Sequence, residues 1–114
     1  YTDQVGFYTL IGSLLFFSIN ISLTSKGSST GAAFINSLPV AAAATTIVYP
    51  SVGYALGMSS FPGTTDTLIG TINAGQTRLA IQGYLGGTTG TLTQFGYTQF
   101  SNTSIIRLDG FYRV

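Results

Sequence analysis

The chain has 114 residues, 45% of them apolar and only 6% charged, with four cations against three carboxylates and no His or Cys. That inventory excludes thiol chemistry, disulfides, the usual nucleophilic triads and the customary zinc ligand sets. A net charge of +1 provides no field to steer nucleic acid or an anionic membrane.

The length suits one domain, residues 1–114, with a single core. Soluble domains carry roughly 25% charged residues, so a lone copy of this chain has a thin colloidal margin. Burial of surface in an oligomer is the expected remedy. The start at Tyr1, with neither an initiator Met nor a signal-peptide pattern, reads as a domain of a longer polypeptide.

Residues 5–11 are rich in β-formers and are followed by Gly12-Ser13, a two-residue hairpin signal. From Leu15 onward Phe17, Ile19, Ile21 and Leu23 alternate with Ser18, Asn20 and Ser22, so a strand with one dry and one wet face is expected. Leu14 and Phe16 break the wet face at its start, which predicts a covering subunit there. Residues 10–23 fall short of the ~20 that a membrane helix needs, and polar residues interrupt them; membrane insertion is not expected.

Residues 24–31 are a Ser/Gly loop. A short strand over 32–38 ends at Pro39, and 45–49 favours an edge strand over a helix. Further strands are expected over 52–59, ended by Phe61-Pro62-Gly63, and over 67–72 and 77–84, joined through Asn73-Ala74-Gly75-Gln76. Residues 85–101 carry little pattern, with Gly86, Gly87 and Gly90 reading as a tip. Residues 105–114 close the domain. Seven or eight short strands imply an all-β, antiparallel, jelly-roll-like β-sandwich.

The run Gly6, Tyr8, Thr9, Ile11, Gly12 and Phe17 resembles a G-x-Y-T-x-I-G-x-x-V-x-F pattern, with Leu15 at the Val position. Leu23-Thr24-Ser25-Lys26-Gly27-Ser28-Ser29-Thr30-Gly31, Leu38-Pro39 and the ending Gly110-Phe111-Tyr112 continue the likeness. The pattern is similar to C-terminal domains of tailed-bacteriophage tail fibres, tailspikes and other appendages. The resemblance implies a homotrimeric β-sandwich, a virion location, contact with other virion proteins, and attachment to a host surface polysaccharide or receptor. The alternative it implies is a decoration or cement domain without a receptor.

Catalytic candidates are absent. Glycan cleavage ordinarily uses paired carboxylates, whereas Asp66 reads as a turn residue and Asp109 as the cross-sheet partner of an Arg. Ser25-Lys26-Gly27-Ser28 is not a phosphate loop, and no Asp spacing supports a Ca²⁺ loop, so no cofactor is expected. Tyr84, Phe95, Tyr97 and Phe100 beside Gln94 and Gln99 combine rings that stack on sugars with amides that bond hydroxyls, which makes them a candidate glycan site against a reading as core. Leu14, Phe16, Arg107, Asp109 and Arg113 are the candidate subunit interface, the last three sharing one face of the final strand.

Overall fold

The computed structural model describes residues 3–44, 49–59, 67–85 and 91–114, and for Asp3, Tyr49, Pro50, Val52, Tyr84, Leu85 and Thr91 the backbone alone. Residues 45–48 of the expected edge strand, the Phe61-Pro62-Gly63 stop, Asp66, and Gly86, Gly87 and Gly90 lie outside the described residues.

Eight strands are described: β1 (Asp3–Ile11), β2 (Leu14–Ser22), β3 (Phe34–Ile35), β4 (Tyr49–Leu56), β5 (Thr67–Ile72), β6 (Leu79–Leu85), β7 (Thr91–Gln94) and β8 (Ile105–Arg113). They join in one antiparallel sheet ordered β1-β2-β8-β4-β5-β6-β3, with β7 sharing the β3 edge of β6. The sheet curls into a half-barrel. No helix among the described residues is long and apolar enough to cross a membrane.

Residues 3–22 fold as the alternation demands. Gly12 has φ 59° and Ser13 a negative φ, so the pair forms the hairpin turn whose first position favours glycine. This turn sets Ile11 opposite Leu14 and fixes the β1–β2 register. Leu15, Phe17 and Ile21 are buried on the inner face with Ile19 beside them, while Ser18 and Asn20 face outward. On β8, Ile106, Leu108 and Tyr112 point inward, whereas Arg107, Asp109, Phe111 and Arg113 point outward.

Of the expected edge strand over 45–49 only Tyr49 is described, and it opens β4, which lies between β8 and β5. One expectation needs correction. The stretch 32–38 yields only the two-residue β3, because β7 occupies the rest of that edge of β6. The patternless 91–101 region holds β7 and a 3₁₀ turn, Tyr97–Gln99.

One core joins both halves of the curled sheet. Leu15, Phe17, Leu108 and Tyr112 from β2 and β8 pack in the same cluster as Leu68, Ile72, Leu79 and Ile81 from β5 and β6. Leu38 and Ala42 close the hairpin end, held by hydrogen bonds from Leu38 N to Thr77 O at 2.8 Å and from Ala43 N to Arg113 O at 2.8 Å. The Tyr112 hydroxyl donates to Val40 O at 2.7 Å and ties this covering segment to β8. Phe95 and Phe100, in edge-to-face contact at 6.4 Å, fill the opposite end.

Two stability measurements check this arrangement. Phe17→Ala should lower the unfolding free energy by about 3–5 kcal/mol in urea titrations, since it empties a core site against Tyr112; a loss below about 1 kcal/mol would remove Phe17 from the core. Burial raises the Tyr112 pKa above the ordinary value near 10, outweighing the opposing effect of its hydrogen bond. The folded chain therefore keeps a proton that the unfolded chain releases. The associated stability is complete below about pH 10 and is lost as pH rises through the folded pKa. Tyr112→Phe should cost about 1 kcal/mol at neutral pH and flatten the alkaline arm of the stability profile. An unchanged arm would place the titrating group elsewhere.

Candidate functional site

Two surfaces stand out, and strand alternation places both. Side chains directed away from the core on β1, β2 and β8 form a continuous outer face. Register sets Ile11 beside Leu14 and Arg113, then Phe16 beside Phe111, then Phe7 beside Ser18 and Asp109, then Asn20 beside Arg107. Phe16 and Phe111 are directly paired, with ring centroids 5.7 Å apart. Phe7 is 71% exposed, Ile11 64%, Phe111 51%, Phe16 41% and Leu14 38%. At roughly 200 Å² for a full aromatic side chain, these residues leave about 500 Å² of apolar surface in water. That is near the upper end of the ~300–600 Å² typical of a monomer's largest patch.

Of the charges on this face, Arg113 lies beside Leu14, and Arg107 and Asp109 lie toward the other end. Arg107 Nε is 3.4 Å from an Asp109 carboxylate oxygen, with both side chains about half exposed. The partner of Asp109 is thus an Arg, as expected, but on its own strand two residues away rather than across the sheet. The expected interface residues Leu14, Phe16, Arg107, Asp109 and Arg113 all lie on this one face. Sequence reasoning missed Phe7 and Ile11. Their odd-numbered spacing was visible, but only pairing with β2 turns it into the same face.

The second surface is a groove of about 290 Å³ at the far end of β2, where the Ser/Gly loop faces the 3₁₀ turn. Ile21, Ile81, Phe100 and Ile106 form its apolar floor; Ser25, Lys26, Ser29, Thr30 and Tyr97 form its rim. The loop is pinned at two points: Lys26 N donates to Asn102 Oδ1 at 3.0 Å, and Tyr97 N donates to Gly31 O at 3.2 Å. Lys26 Nζ lies 5.6 Å from the centre of the Tyr97 ring.

The candidate glycan residues are dispersed by role. Phe95 is fully buried and Phe100 nearly so, and both belong to the core, so neither offers an open ring face. The Gln94 amide donates to Ile81 O at 2.9 Å and Ala33 O at 3.1 Å, bonds that knit the β3–β7 edge of β6. Gln99 Oε1 accepts from Gly96 N at 2.7 Å and closes the 3₁₀ turn. Tyr84 is described only through its backbone in β6. Among the candidate rings whose side chains are described, Tyr97 is the exposed one, at the groove. Lys26, Ser29 and Thr30 were not among the candidates; the one signal for them was a lone cation within a Ser/Gly loop.

Comparison with family models, with curated proteins and with solved structures gave no match.

The half-exposed Arg107–Asp109 pair should contribute little to the fold of a single chain. Asp109→Asn should shift the stability of the dissociated chain by less than about 1 kcal/mol in chemical denaturation at low protein concentration. A larger loss would mean that the carboxylate has a structural partner beyond Arg107.

Proposed function

We propose that this chain is a virion structural domain, the distal part of a bacteriophage tail fibre or tailspike, which assembles as a homotrimer and attaches to a host-surface glycan without chemical catalysis. One observation carries the reading: Phe7, Ile11, Phe16 and Phe111 form an exposed apolar face on a chain with very few charges. Such a surface is costly in water and cheap once another copy covers it. Three copies, and the virion itself, follow from the resemblance in residues 6–17, 23–31 and 108–114.

Within this reading the curled sheet serves as a two-layer sandwich. β1, β2, β8 and β4 form one layer, and β5, β6, β3 and β7 the other, over the shared core. The smallest dimension of 21 Å suits two sheets spaced ~10 Å apart plus their outer side chains. The groove then lies at the end of the domain away from the Gly12 turn, some seven residues along β2, or about 23 Å. A polar groove at one end and an apolar face toward the other suit a domain that assembles by the second and presents the first.

Light scattering on the purified chain at micromolar concentration should report three copies, and Phe16→Asp or Phe111→Asp should give folded monomers. A wild-type monomer at that concentration would overturn the assembly. The trimer should also bind bacterial cells, with soluble surface polysaccharide competing. A stable trimer that binds no cell while stabilising particles against heat would turn the reading to the cement alternative.

A further inference from the structure

The groove beside Tyr97 has a chemistry narrower than sugar binding in general. Its described lining holds no carboxylate, and Lys26 is its only charged side chain. The ammonium sits against the Tyr97 ring, and among the described residues it has no acidic partner. The described carboxylate of Asp109 is on the outer face, engaged with Arg107. Ser29 and Thr30 expose hydroxyls with no partner among the described residues. Each can donate and accept, as a sugar ring with several hydroxyls requires.

The site is also largely built in advance. The Lys26 backbone is anchored to Asn102, Gly27 N donates to Ser25 Oγ at 3.1 Å, and Gly31 is tied to Tyr97. Gly27 at φ 72° and Gly31 at φ 105° bend the loop where other residues would be strained. Ordering of the loop on binding is thereby reduced, which favours affinity. The volume is at the lower limit for small-molecule sites, sufficient for one sugar unit rather than a long stretch of chain.

We propose that this groove selects an acidic sugar, a saccharide unit bearing a carboxylate. The carboxylate meets the Lys26 ammonium, the apolar ring face lies toward Tyr97, and ring hydroxyls bond Ser29 and Thr30. This rests on the attachment reading above and adds to it the class of glycan. Lysine meets such an anion as a compact point charge, so the contact is sensitive to salt.

Isothermal titration of the assembled chain with oligogalacturonate and with a neutral galactan oligomer of the same length tests it. The acidic oligomer should bind about tenfold tighter, the worth of one charge-assisted hydrogen bond in a partly wet site. Lys26→Gln should abolish that preference and Lys26→Arg should keep most of it, since position 26 is exposed and tolerates either without loss of fold. Tyr97→Ala should remove binding of both oligomers. Equal affinity for the two, unchanged in Lys26→Gln but lost in Tyr97→Ala, would overturn the acidic preference and leave glycan attachment standing. Binding of neither oligomer, in a wild-type chain that also fails to bind cells, would overturn both.

Discussion

The half-barrel depends on a row of small residues that crosses its sheet. Register aligns Phe17 of β2, Gly110 of β8, Ser51 of β4, Gly70 of β5 and Ile81 of β6. A Cβ at Gly110 would sit 2.6 Å from Ser51 Cβ and 3.0 Å from the tip of the Phe17 ring; one at Gly70 would sit 2.6 Å from a Leu79 methyl. The two glycines are therefore the space into which Phe17 and Leu79 pack. Ser51 is nearly fully buried, yet its hydroxyl donates to Gly70 O at 3.1 Å, so a polar atom in the core is satisfied. The adjacent row repeats the device, with Ile19 and Leu108 facing Gly53, then Leu68 facing Gly83. Small or absent side chains set between large ones along each row make room for the large ones on the inner face of a curled sheet.

Curling has a consequence for the edges. β1 pairs with β2 along its whole length, and no strand among the described residues pairs with its other side. It carries no Lys or Pro and no bulge in its pairing, the usual guards of an open edge. Gln4 to Ile11 are exposed on both faces of this strand. Natural proteins tolerate such an edge where something regularly covers it. This edge, whose one ionisable carboxylate is at its first residue, Asp3, adjoins the apolar outer face, so one covering element would satisfy both.

How much of this was legible in the sequence depended on whether a local pattern decided the outcome. The alternation of Leu15 to Ser22 and of Ile105 to Tyr112 reports the two faces directly, because a single buried face leaves a period of two. Gly12-Ser13 was readable because a tight hairpin leaves few conformations to choose from. Phe95 and Phe100 were not separable from surface rings, since burial there comes from β3, β6 and the 3₁₀ turn converging from distant parts of the chain. The Gln94 and Gln99 amides stand in the sequence only as candidate sugar ligands for the same reason. Their real partners, Ile81 O, Ala33 O and Gly96 N, are set by tertiary placement or by a cap that composition does not announce. Lys26 gained significance only when the loop was seen folded back against Tyr97.

The scarcity of charge ties the two surfaces together. A chain that uses its few ions sparingly must let position, not number, give each one a role. Arg107 and Asp109 offset one another at the polar end of the outer face, and Arg78 rests 4.5 Å from the centre of the Phe34 ring. Lys26 faces the groove, with no carboxylate in its described lining to oppose it. A neutral surround does not screen or compete with such an ion as a densely charged surface would, so one lysine can dominate the local potential within about a Debye length, ~8–10 Å at physiological salt. The same neutrality that makes the outer face a burden for a single chain thus makes a single cation sufficient to mark the groove.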